Sequence, residues 1–194
     1  STEDPLFEEA YGALWEYFGS SNEMESVDVL ARRFAKNQEA AGNELLMRYD
    51  LVLLRAGGGV AAVCDHTAVV EPHGGVVHVS HILIQSAWRR TGLAGWVRAI
   101  PIQTARRCLA EAGLSPHLPI TLVAEVEYAR GDSARMARLK SFERAGFLKI
   151  DPEVIDYHQP DFRSPEVIDA TGGPRPLPFQ LLIRRVPREV EDFL

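Results

Sequence analysis

His78-Val-Ser-His-Ile-Leu-Ile-Gln-Ser-Ala-Trp-Arg-Arg-Thr-Gly-Leu-Ala94 is the stretch whose reading decides the fold. His78 to Ile84 is β-branched and apolar, which predicts a strand. Arg89-Arg-Thr-Gly92 cannot continue that strand comfortably, and from Leu93 onward the periodicity is helical. A strand, a tight basic turn and a helix therefore follow one another. The first turn of a helix carries unpaired N–H groups at the positive end of its dipole. With Arg89 and Arg90 alongside, that is an anion site suited to phosphate.

Working upstream, the apolar period is 2. Val76 to Ile84 reads as a third strand, Val60 to Val70 as a second and Leu45 to Arg55 as a first. Pro72-His-Gly-Gly75 and Gly57-Gly-Gly59 read as the turns between them. The triple glycine precedes a strand and not a helix, so it reads as a hairpin turn and not as a phosphate loop. Further upstream the period becomes helical. Residues 5–18 place Leu6, Ala10, Leu14, Tyr17 and Phe18 near one face. A second helix spans about Ser26 to Gln38, with Val27, Leu30 and Phe34 inward, and Gly42-Asn43 ends it. These aromatics read as core more than as pocket lining.

Downstream, Leu93 to Ala112 predicts a helix with Leu93, Val97, Ile100, Cys108 and Ala112 inward and Arg98, Arg106 and Arg107 outward. Pro101 predicts a kink or break near residues 97–101, and Gly113 fits a C-cap. Pro119 to Tyr128 is apolar enough for a central, parallel strand, which makes the preceding helix a crossover. Gly131-Asp-Ser133 caps a helix over about Ala134 to Ala145, with Met136, Leu139 and Phe142 inward, and Gly146 ends it. Phe147 to Tyr157 predicts a strand interrupted near Pro152. Residues 158–176 read as a long loop, and Leu177 to Arg185 as the last strand, free to pair or swap in a possible homodimer.

The 194 residues suit one domain, with 46% hydrophobic and 25% charged residues typical of a soluble globular protein. No apolar run reaches membrane-spanning length, and Ser1-Thr-Glu-Asp-Pro5 lacks the features of a signal peptide. A cytoplasmic setting without membrane contact is expected. Cys64 and Cys108 give neither a disulfide framework nor a metal cluster. A net charge of −6 argues against nucleic acid as a partner and is compatible with a cationic substrate.

The anion site has neither the Walker pattern nor the dinucleotide fingerprint. What it has is Arg89-x-x-Gly92-x-Ala94 between a strand and a helix. This resembles the signature of the GNAT superfamily of N-acetyltransferases: Arg or Gln, two residues, Gly, one residue, then Gly or Ala. A second segment agrees. Ala137-Arg-Leu-Lys-Ser-Phe-Glu-Arg-Ala-Gly-Phe147 follows the parallel strand where the family has a helix ending in Tyr-Glu-Lys-x-Gly-Phe. The resemblance covers about residues 45–157.

The resemblance implies an α/β (α+β) fold: a mixed, largely antiparallel sheet, one parallel pair splayed around a cofactor cleft, and flanking helices. Residues 1–194 would form a single acyl-CoA-dependent domain that uses acetyl-CoA and no metal. The amides of Arg89, Arg90, Thr91, Gly92, Leu93, Ala94 and Gly95 would hold the pyrophosphate. Ile82, Leu83 and Ile84 would pair with the pantetheine arm, and Asp132 or Ser133 stands near a further cofactor contact. The acceptor would be a primary amine of a small molecule or peptide that attacks the thioester directly.

Strand alternation puts His78 and Ser80 on one face, with His81 opposite in a structural role. His78 is either a base or a hydrogen-bonded, partly buried histidine. Glu125 and Glu127 are either bases or salt-bridged carboxylates. Phe142 departs from the family, which has a proton-donating tyrosine there. Tyr128, Tyr157 or solvent would replace it, or the chain would be a non-catalytic acyl-CoA-binding regulatory or sensor module.

Overall fold

In a computed structural model, described for residues 2–21, 23–39 and 46–187, an antiparallel meander forms one end of the sheet. Its strands are β1 (Leu46–Ala56), β2 (Gly59–Glu71) and β3 (Gly74–Ile84). The β1–β2 turn has φ 61° at Gly57 and 83° at Gly58, the paired positive values that suit a tight hairpin to twisted strands. Helices α1 (Pro5–Phe18) and α2 (Val27–Glu39) precede the meander. The Asp4 carboxylate caps α1 by accepting from the Leu6 N–H at 2.9 Å.

Helix α3 (Leu93–Glu111) carries the chain to β4 (Ile120–Glu127), which lies parallel to β3. Helix α4 (Ser133–Glu143) follows, started by Asp132, whose carboxylate accepts from Ala134 and Arg135. Then come β5 (Leu148–Lys149), β6 (His158–Gln159), α5 (Pro165–Ala170) and β7 (Leu177–Val186). The strand order is β1-β2-β3-β4-β7-β5, with β6 also on β7. β7 is antiparallel to β4, which makes β4 central as its apolar alternation requires. The sheet is thus mixed and largely antiparallel, with one parallel pair and flanking helices.

Each sheet face buries its own core. Val77, Val79, Val97, Leu109, Leu122, Val126 and Phe142 form one, on the side of α3 and α4. Phe7, Leu14, Leu30, Tyr49, Val63 and Leu83 form the other, under α1 and α2. Full burial of a side chain such as Leu122 contributes roughly 1.5–3 kcal/mol.

Several expectations are corrected. Phe7, not Leu6, takes the buried position on α1, and Tyr17, Val27 and Met136 are exposed. Helix α3 is not broken at Pro101, which is buried within it. The strand expected from Phe147 to Tyr157 forms a ladder only at Leu148 and Lys149, with single bonds to β7 at Ile150 and Tyr157, and the interruption expected near Pro152 is present. There Asp151 turns the chain: its carboxylate accepts from the Glu153 N–H and its carbonyl from those of Val154 and Ile155. The 158–176 segment contains β6 and α5 and is tied by Arg163, which donates to Asp161 and Thr171. The Gly42-Asn43 break lies outside the described residues.

Gly74 opens β3 against the chain entering β4. Its φ is +152°, and a Cβ built on it would stand 2.4 Å from the Pro119 carbonyl oxygen, which accepts from the Gly75 N–H. Gly74→Ala therefore forces backbone apart at the parallel junction. We expect it to lower stability by about 2 kcal/mol or more, read as a fall in urea midpoint. An unchanged midpoint would contradict that packing.

A candidate active-site cleft

The cleft begins where the parallel pair ends. Pairing of β3 with β4 runs from Gly75–Ile120 to Val79–Ala124 and then stops, although β3 continues to Ile84 and β4 to Glu127. The register between β2 and β3 shows why. His66 opposes Val79 and Asp65 opposes His81, so Ser80 is an extra residue on β3. Such a bulge bends its strand and sharpens the local twist. It also resets the alternation. Val77 and Val79 pack with α3 before it, and Ile82 and Ile84 do so after it, while Leu83 joins the other core. His81 therefore shares the face of His78 and does not oppose it, which corrects the count from strict alternation.

The strands separate around a cleft of about 510 Å³ that opens on both sheet faces, within the range usual for ligand sites. On the α3–α4 face Arg89, Arg90, Arg98, Arg138 and Arg144 line it. On the α1–α2 face the lining is Tyr17, Phe18, Glu23, Glu25, Arg33 and Phe162. Arg33 is already paired with Glu25. One mouth is therefore cationic and the other acidic and aromatic.

At the cationic mouth the loop after β3 has a defined backbone. The Arg89 guanidinium donates to the Ile84 carbonyl at 3.1 Å, and the Thr91 hydroxyl to that of Trp88 at 2.7 Å. Arg90 has φ 65° and Gly92 φ 88°. Gly92 is the N-cap of α3, and no side chain caps it, so the positive end of the helix is left to a ligand. Ile82, Leu83, Ile84, Arg89, Arg90 and Ala94 line the cleft. Thr91, Gly92, Leu93 and Gly95 shape the loop beside it.

Where the strands part, a short polar chain crosses the gap. His78 Nε2 is 3.2 Å from Glu125 Oε1, and His78 Nδ1 is 3.3 Å from Ser80 Oγ. The imidazole is 43% exposed and the Glu125 side chain only 10%. Tyr157 stands against Glu125, and burial together with that carboxylate pushes its phenol pKa up, so it stays protonated. Glu127 is held by Arg138 and, at 3.5 Å, by Arg135. That is the salt-bridged arrangement, and it leaves Glu125 as the carboxylate within reach of His78. Neither Tyr128 nor Tyr157 is among the lining residues, and the Arg130 guanidinium lies 5.9 Å from the Tyr128 ring centre. Of the two tyrosines considered, Tyr157 is the one set against Glu125.

His81 is held from both sides. Nδ1 is 2.8 Å from Asp65 and Nε2 2.8 Å from the Glu23 carbonyl, while Tyr49 donates to Asp65 at 3.1 Å. Burial alone would lower the His81 pKa, but the Asp65 charge and these hydrogen bonds outweigh it and raise it to about 9. Burial likewise opposes ionisation of Asp65, yet His81 and Tyr49 hold its pKa below the usual carboxylate value. The pair fixes the Glu23 segment that walls the acidic mouth.

Sequence reasoning missed Arg98, which it placed on the outer face of α3. The signal was its spacing: four residues after Ala94, it lies one turn further along the side that meets the cleft.

Among the described residues no group of His, Cys, Asp and Glu could hold a metal ion. No helix among them is long and apolar enough to cross a membrane.

No family model and no curated protein matches this chain. Solved structures similar to it include an Ard1 from Thermoplasma volcanium, at 10% identity and a TM-score of 0.48, covering 91% of this chain and 90% of that one. The ribosomal-protein-S18-alanine N-acetyltransferase from Escherichia coli is similar at 17% identity and a TM-score of 0.43, covering 84% and 81%. A GNAT-family acetyltransferase from Streptococcus pneumoniae is similar at 14% and 0.39, covering 77% and 71%.

Proposed function

We propose that the chain is an acetyl-CoA-dependent N-acetyltransferase acting on a primary amine of a small molecule or peptide. The observation that carries this reading is the parting of β3 from β4 at the Ser80 bulge, with a cationic mouth on one face and an acidic one on the other. An anionic cofactor and a cationic amine would enter from opposite sides and meet where the strands open.

The pyrophosphate of coenzyme A suits the uncapped start of α3 and the Arg89–Gly95 loop. The edge of β3 beyond Val79, unpaired with β4, suits the pantetheine amides and offers N–H groups to the thioester oxygen. The amine would attack the carbonyl directly. His78 would take the proton that the nitrogen sheds, with Glu125 behind it to balance the imidazolium. Glu23 and Glu25 would border the acceptor.

Isothermal titration tests the cofactor half. Acetyl-CoA is expected to bind the chain; no heat at millimolar ligand would sink the reading. Gly92 sets the loop at φ 88°, a conformation that costs a branched residue about 1–2 kcal/mol. Gly92→Val is therefore expected to weaken acetyl-CoA binding by about tenfold, seen in the same titration. Equal affinity in the variant would move the cofactor away from this loop.

A further inference from the structure

We infer that Arg98 stabilises the leaving sulfur in the cleft, in the place where Phe142 offers no proton. The inference rests on the acetyl-transfer reading above.

Arg98 is on the cationic mouth and lines the cleft. Its guanidinium carbon lies 5.1 Å from the centre of the Phe142 ring, and it donates to the Ser141 hydroxyl. Its Nε is buried with no hydrogen-bond partner. No carboxylate pairs with it among the described residues, unlike Arg33, Arg135 and Arg138. Burial alone shifts its pKa, downward. A partly buried guanidinium with an unpartnered Nε and no carboxylate beside it is costly to keep. Such a cation is matched to an anion that arrives or forms beside it, and partial burial strengthens that attraction.

Two kinds of anion are available. The cofactor phosphates are permanent, and the loop with Arg89 and Arg90 addresses them. Arg98 instead lies over Phe142 and beside Ser141. There the anion is the one made by the reaction. As the amine nitrogen bonds to the carbonyl carbon, the carbon–sulfur bond breaks and its electron pair goes to sulfur. The amine proton goes to His78. The thiolate forms against the Arg98 guanidinium and is protonated in solvent on release, while His78 returns its proton to solvent, so that one proton passes in all from amine to thiol. Phe142 then acts as the platform that positions the cation, through its ring face.

The test uses the full chain, acetyl-CoA and the best acceptor from an amine panel. Arg98→Met is expected to lower kcat by about 10²-fold, with the Kd for coenzyme A within about twofold of the parent. Arg98→Lys, which keeps the charge, is expected to recover about tenfold of that loss, and it also controls for a folding defect in the Met variant. Adding Phe142→Tyr to Arg98→Met is expected to restore turnover in part, because a phenol then supplies a proton. An unchanged kcat in Arg98→Met overturns the assignment. So does a rise in the coenzyme A Kd with kcat unchanged, which would make Arg98 a phosphate ligand. Parent protein that releases no thiol with any amine overturns the acetyl-transfer reading and this inference with it.

Discussion

Glu125→Gln is expected to lower kcat/KM for acetyl transfer by about 10²- to 10⁴-fold while leaving coenzyme A binding within about twofold. The substitution keeps the shape of the side chain and removes its charge. Glu125 is nearly buried and 3.2 Å from His78 Nε2, whereas the imidazole reaches the cleft. When His78 takes a proton from the attacking amine, the new positive charge sits against the carboxylate. Glutamine offers no compensating charge and can fix the wrong tautomer. The two residues therefore act as a unit, and His78→Ala should cost about as much as Glu125→Gln. The double variant should be little worse than either alone. Fully multiplied losses would mean independent roles, and an unimpaired Glu125→Gln would remove the carboxylate from the reaction.

Asp65→Asn is expected to destabilise the fold by about 3–5 kcal/mol, because it strips a buried ion pair of one partner. Asp65 is 1% exposed and receives both His81 and Tyr49. The effect depends on pH with a definite sign. The His81 pKa is raised to about 9, so its contribution is complete below the ordinary histidine value of about 6.5 and fades as pH rises toward 9. The Asp65 pKa is lowered, so its contribution is complete above the ordinary value of about 3.9 and is lost as pH falls through the folded value. The stability gap between parent and Asp65→Asn should thus be widest between about pH 4 and 6.5 and should narrow above that. Urea melts across this range decide it; a gap that widens between pH 7 and 9 contradicts the pair. Because His81 also holds the Glu23 carbonyl, the variant should loosen the acidic mouth as well.

Most of the architecture was legible because strong local signals agreed. Period-2 runs bounded by glycine turns gave the meander. The apolar run from Pro119 to Tyr128 gave the central strand, and Asp132 the start of α4. The interruption expected near Pro152 is where Asp151 turns the chain, but the strand around it was expected to be longer than the two residues that pair. Pro101 was read as a kink or a break, and α3 runs through it without a break. In the site, the turn from β3 into α3 over Arg89–Gly92 was legible from the change of period. The Ser80 bulge was not, because nothing in a run such as Val77-His-Val-Ser-His-Ile82 marks the residue left unpaired. That one residue decides that His81 shares the His78 face, and that the strands part there. Glu127 and Glu125 look alike in sequence and differ only in neighbours that α4 supplies: Arg135 and Arg138 claim the first. Arg98 was hidden by the habit of reading helix arginines as solvated.

Thiol release from acetyl-CoA across a panel of small and peptide amines tests the central claim most directly. The account predicts amine-dependent release that yields the N-acetylated product and fails in Glu125→Gln. Tight acetyl-CoA binding with no release above the hydrolytic background, for every amine, would contradict it and leave a binding module in its place.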